Sequence, residues 1–203
     1  MKTFLHVGCG RKNKSQIRGF DNENWKEIRF DIDKNVNPDI EGTSTDMKLV
    51  DTGSVDAVYS ANNIEHIYPH QVPIALREFY RVLKEDGIAV ITCPDLQSVC
   101  EAVVQDKLLE PLYESPAGPI CPIDILYGSR KMIAGGNEYM AHKGGFTYLT
   151  LNTAFFEAGF KVKVGGRRLE TWELWIVAFK QKKPEEEIRK IALPFIPNAK
   201  FTS

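Results

Sequence analysis

The run Phe4-Leu5-His6-Val7-Gly8-Cys9-Gly10 constrains this chain more than any other stretch. An apolar segment ending in Gly-x-Gly reads as a buried strand that turns sharply beneath a ligand. Its two glycines let the backbone take positive φ and approach that ligand closely. About twenty residues on, Ile28-Arg29-Phe30-Asp31-Ile32-Asp33 reads as a second strand closed by a carboxylate. A carboxylate there can accept hydrogen bonds from a ribose diol, so the pair suggests an adenosine-containing cofactor.

Three downstream segments extend the pattern: Ser54-Val55-Asp56-Ala57-Val58-Tyr59-Ser60, then Ile64-Glu65-His66-Ile67, then Leu76 to Gly87 with its Arg81-Val82-Leu83-Lys84 core. The order of strand, Glu-His, amphipathic helix ending Arg-Val-Leu-Lys-x-x-Gly, and strand resembles the class I S-adenosylmethionine-dependent methyltransferases, nearest to their small-molecule (type 11-like) group. The resemblance covers residues 3–95 well and the C-terminal hairpin loosely. It implies an α/β fold with a Rossmann-like, mostly parallel seven-stranded sheet and an antiparallel C-terminal hairpin.

The residues give a compatible coarse map. Strands are expected at 3–7, 28–32, 39–42, 55–60 and 87–93, and then at 160–165 and 169–180 with Gly165-Gly166 as the turn between them. Apolar Val72, Leu76, Phe79, Tyr80 and Leu83 recur at helical spacing, which predicts a helix over 70–84 ended by Gly87. Further helices are expected over 96–107, with Asp95 as N-cap, and over 149–159. Only twenty residues separate Val7 from Ile28, and 33–39 is shorter still, so the first two crossovers are shortened. Lys12 stands where the family has its third glycine.

At 203 residues the chain suits one domain, read as 1–183, with an insertion at 108–147 and a tail from 184 to 203. The insertion contains Pro111, Pro116, Pro119 and Pro122, two glycine pairs and many apolar residues. A segment of that length with little periodicity inside a domain is usually functional. In the family an insertion here commonly lies over the active site, which makes it an acceptor lid.

A formal net charge of −1 gives no field to attract nucleic acid. There is no Asn/Asp-Pro-Pro-Tyr motif for base methylation either; Cys93-Pro94-Asp95-Leu96 is not one. Four cysteines without Cys-x-x-Cys spacing suit reduced thiols, no apolar run approaches membrane-spanning length, and the first strand leaves no room for a signal peptide. A cytoplasmic protein that binds neither membrane nor nucleic acid is expected.

The resemblance implies S-adenosylmethionine as cofactor and S-adenosylhomocysteine as product. Residue by residue it places Gly8, Cys9 and Gly10 in the cofactor turn and Asp31 on the ribose, with Ile32 beside it. Asp33 lies on the same strand face as Asp31 and is the alternative acid. Thr43 occupies the family's adenine-contacting aspartate position, so Asp46 and Met47 are the nearest substitutes. Ala61 and Asn62 follow the fourth strand, where ligands gather in open α/β sheets. His66, at the family's Glu-His position, is a candidate base or a contact near the methionine part of the cofactor. His142 is a second candidate base and, with Tyr127 and Arg130, a candidate acceptor contact. His66 and His70 have metal-like spacing, but Pro69 interrupts the turn and no metal site is expected. His6 reads as a satisfied core histidine. The expected reaction is in-line methyl transfer to an O or N atom of a small-molecule or peptide acceptor. A NAD-type dehydrogenase and a non-catalytic cofactor-binding scaffold or regulatory subunit are the alternatives.

Overall fold

The computed structural model describes residues 1–115 and 118–196. Pro116 and the end of the expected tail, 197–203, lie outside the described residues. The chain runs β1 (Lys2–Val7), β2 (Trp25–Asp31), β3 (Ile40–Glu41), β4 (Val55–Ala61), α1 (Val72–Val82), β5 (Leu83–Pro94) and α2 (Leu96–Val104). Within the insertion follow β6 (Tyr113–Ser115), β7 (Gly118–Ile120), α3 (Pro122–Tyr127) and α4 (Arg130–Ala134). The chain then forms α5 (Tyr148–Glu157), β8 (Val162–Arg168), β9 (Glu173–Phe179) and α6 (Glu185–Ala192).

Seven strands form one sheet in the order β3-β2-β1-β4-β5-β9-β8. Its pairings are parallel except that β9 runs antiparallel to both β5 and β8. The order reverses between β1 and β4. Open α/β sheets bind ligands in the crevice outside their carboxyl ends at such a switch. The two short crossovers each contain a single 3-10 turn, Lys14–Gln16 and Lys34–Val36, in place of an α-helix.

Each sheet face carries its own core. α1 and α5 cover one face, where Leu76, Phe79, Leu151 and Phe155 are fully buried against Leu5, Val58 and Ile91. On the other face the loop after β1 supplies Ile17 and Phe20, and α6 with its extension supplies Ile188, Ala192, Phe195 and Ile196. The Phe20 ring stacks on Phe4 at 4.2 Å and meets Phe195 at 4.8 Å. Arg18 ties the segments together by donating from Nε to the Pro194 carbonyl at 3.2 Å. The segment read as a tail from residue 184 thus carries a helix that roofs the face left open by the short first crossover. Burying one phenylalanine there contributes roughly 1.5–3 kcal/mol. Glu185, Glu186 and Glu187 in its first turn and Arg189 and Lys190 in its last suit the helix dipole.

Two boundaries differ from expectation. α1 ends at Val82, because Leu83 turns extended and pairs with Val55, both inside the core. The hairpin turn falls after Arg168, with Trp172 at φ 58°, and not at Gly165-Gly166. Those glycines lie within β8, where a Cβ on Gly165 would run into the Trp175 carbonyl of β9. They answer a close approach between strands. Asp95 does cap α2, accepting from the Gln97 N–H at 3.2 Å.

Candidate active site

A cleft of about 440 Å³ opens at the carboxyl end of the sheet, over the switch between β1 and β4. One wall is the glycine turn. Gly8 and Gly10 have φ of 67° and 51°, and a Cβ on Gly8 would collide with the Asn63 side chain. Space above Gly10 is open. The Asp31 carboxylate holds this turn: Oδ2 accepts from Gly10 N at 2.8 Å and Oδ1 from Asp33 N at 2.9 Å. Asp33 also lines the cleft, but its Oδ1 accepts from Asn35 N and Nδ2, so it caps the following 3-10 turn. Arg29 staples the two loops by donating to the carbonyls of Gly10, Val36 and Asn37. Ile32 adds a half-exposed apolar surface, and Asn62, at φ 47°, lines the cleft across from it.

The opposite wall belongs to the insertion. Asn137, Tyr139, Met140 and Lys143 line the cleft. This segment is docked by backbone bonds from Lys143 N and Gly144 N to the Glu65 carbonyl, at 2.8 and 3.1 Å. His66 lies in the lining, with Nδ1 3.1 Å from the Ala141 carbonyl, and its ring meets that of His142 at 4.7 Å. His142 engages the Ile125 carbonyl through Nδ1 at 2.7 Å. Burial pushes the His142 pKa down to about 4, with the His66 charge adding to it. His66 is likewise lowered, first by burial and then by Lys143, against raising contributions from the Ala141 and Asn62 backbone. Both imidazoles are therefore neutral near pH 7 and can accept a proton.

Several expected site residues stand elsewhere. Met47 is fully buried in the core, its N–H on Glu78 Oε2 and its carbonyl held by Arg81 Nη2. That clamp from α1 pulls it away from the cleft. Asp46 faces outward and pairs with Lys48 at 3.1 Å. The cleft wall here is Thr43, Ser44 and Thr45. Arg130 is committed to Asp124 through two hydrogen bonds of 2.7 and 3.0 Å, and Tyr127 is exposed outside the cleft. The Cys9 side chain is buried, its thiol pushed up to about 12 by burial, so its side chain offers the cleft nothing. Ala61 is outside the lining and packs toward the core beneath the α6 side. His6 is buried, its Nδ1 2.7 Å from Glu27.

Glu65 carried no role in the sequence reading beyond its motif. It is 1% exposed, and neither carboxylate oxygen has a hydrogen-bond partner among the described residues. Burial pushes its pKa up to about 8. Nothing in the sequence marks this state, since it depends on tertiary packing: Cys93 of β5 feels its charge, and Lys143 and Gly144 of the insertion bond its carbonyl.

Residues 5–91 match a family described as "Methyltransferase domain". Solved structures share the fold over most of both chains. A protein from Pyrococcus horikoshii OT3 is 11% identical, with a TM-score of 0.60 over 89% of this chain and 82% of that one. A SAM-dependent methyltransferase from Methanosarcina mazei is 13% identical, with 0.58 over 90% and 93%. A putative methyltransferase of Haloferax volcanii, solved with the Trm112 methyltransferase activator, is 14% identical, with 0.56 over 89% and 83%. No curated protein sequence matches the chain. The family match covers residues 5–91, and the sheet order is the fold these solved structures share. Among the described residues no helix is long and apolar enough to cross a membrane.

Proposed function

We propose that this chain moves a methyl group from S-adenosylmethionine to an O or N atom of a small-molecule or peptide acceptor. One observation carries the reading: a single cleft is walled on one side by the glycine turn with Asp31 and on the other by residues of the insertion. That is the layout of a two-substrate site. Gly8 and Gly10, with open space above Gly10, fit a cofactor laid across the turn. When bound, S-adenosylmethionine supplies an electrophilic methyl carbon on a cationic sulfur.

The chain's own residues hold and orient. Each Asp31 oxygen uses one lone pair on a backbone N–H and keeps another for a ribose hydroxyl. Ile32 offers an apolar face to a base, and Thr43 to Thr45 offer hydroxyls beside it. Residues 137–143 act as the acceptor lid, aligning the acceptor in line with the transferring group. Alignment of this kind accounts for roughly 7–11 kcal/mol of a barrier. His66, aided by His142, takes the proton from a hydroxyl acceptor.

Calorimetry tests the reading. S-adenosylhomocysteine should bind and NAD should not. Asp31→Ala should weaken binding about ten- to a hundred-fold, the equivalent of losing about 1.5–3 kcal/mol of charge-assisted hydrogen bonding. Binding of NAD alone, or an unchanged affinity in folded Asp31→Ala, would sink it. His142→Ala should lower methylation in a metabolite or peptide screen while leaving S-adenosylhomocysteine affinity intact.

A further inference from the structure

Glu65, His66 and His142 converge although His142 comes from the insertion. One ligand atom from each lies within 4.8 Å of the others. The Glu65 carboxylate is 1% exposed with both oxygens unpartnered. Burying a carboxylate so completely without hydrogen bonds is expensive unless it keeps a proton or a cation faces it. The two imidazoles are held by backbone carbonyls at Nδ1, Ala141 for His66 and Ile125 for His142. Donation of the Nδ1–H to such a carbonyl fixes the tautomer and leaves Nε2 with its lone pair, as in most histidine metal ligands. The expected His66–His70 pair is not the one brought together: His70 is exposed and stacks on Tyr68.

We propose that Glu65, His66 and His142 bind one divalent first-row transition ion at the acceptor-side wall of the cleft. Two nitrogens and a carboxylate oxygen suit zinc, cobalt, iron or manganese better than magnesium or calcium, which favour all-oxygen shells. Bonds of about 2.0–2.1 Å to each ligand require the three atoms to draw in by roughly an ångström, a movement of side-chain tips. Three protein ligands leave a coordination position open, as catalytic sites do. His66 lines the cleft, so the ion stands where an acceptor would meet it; with Nε2 of both histidines on the ion, the proton-accepting role given to them above belongs to the metal-free chain.

Co2+ is the probe, added to full-length protein stripped with EDTA and followed by its visible d–d absorption and by equilibrium dialysis. The expected result is one Co2+ per chain, with affinity reduced at least about ten-fold in both Glu65→Gln and His142→Ala. His70→Ala should bind as the unaltered chain does. S-adenosylhomocysteine calorimetry on the same variants reports whether the fold is intact, and the metal titration needs no cofactor, so the two readings fail separately. No stoichiometric Co2+ binding by the unaltered chain, an affinity in folded Glu65→Gln or His142→Ala as high as that of the unaltered chain, or loss of binding in His70→Ala would overturn the assignment.

Discussion

At one end of the cleft the acceptors are already engaged: both Asp31 oxygens receive backbone N–H groups, and Arg29 holds three carbonyls across two loops, leaving its Nε without a partner among the described residues. At the other end two side chains keep unengaged acceptors: among the described residues Glu65 has no partner for either oxygen, and Asn137 has none for Oδ1. In the first rim two side chains, Asp31 and Arg29, grip the backbone of loops that lie close to them in sequence. The second is assembled from side chains contributed by distant segments. A rim whose acceptors are already engaged is preorganised for one constant ligand, whereas a rim with unspent acceptors gains its last interactions only when something else arrives.

The hardest blow to the matched rim is Gly8→Ala. The new Cβ collides with Asn63 and the backbone sits at positive φ, so S-adenosylhomocysteine affinity should fall about a hundred-fold or more in calorimetry. Gly10→Ala carries only the backbone strain, about 1–2 kcal/mol, and should cost roughly ten-fold. Equal losses at the two positions would mean that the turn is not rigid, and the comparison would break.

At the unmatched rim, Glu65→Met should do the opposite of what such a core change usually does. Replacing an orphaned buried carboxyl group by an apolar side chain relieves a desolvation penalty of about 1–3 kcal/mol, so metal-free protein should melt a few degrees higher. A lower melting point would show that Glu65 has a partner after all.

The smallest effect concerns His6, beneath the matched rim. Burial holds its pKa below the ordinary 6.5, outweighing the raising influence of Glu27. The unfolded chain takes up a proton near 6.5 while the folded chain resists, so this residue lowers stability as the pH falls below that value. Denaturant titrations of His6→Gln should therefore show a shallower loss of stability on acidification than the unaltered chain. An identical slope would remove His6 from the account.

Much of the frame was legible because it is local. The Gly8–Gly10 turn, Asp31 and the helical spacing of Val72, Leu76 and Phe79 are each specified within a few residues; the structure forms α1 over that spacing and sets Gly8, Gly10 and Asp31 in the cleft lining. Met47 was misplaced because the groups that draw it inward, Glu78 and Arg81, sit more than thirty residues away. Arg81 accounts for part of its own motif, as a clamp on the loop after β3. Gly165 and Gly166 were read as a turn because a close strand approach leaves the same sequence mark. The last helix could have been found: Ile188, Ile191, Ala192 and Phe195 follow the three- and four-residue spacing of an apolar stripe. What no pattern could give is the state of Glu65, which is set by tertiary packing around it.

The roof formed by α6 also sets an order of events during synthesis. Phe4, Phe20 and Trp25 leave the ribosome more than 160 positions ahead of Ile188, Ala192 and Phe195, which cover them. At about 5–20 residues per second, the β1 face waits roughly 8–35 seconds with its aromatic residues uncovered. That interval is when the nascent chain is most exposed to aggregation, and when a chaperone able to hold apolar surface would have most to grip.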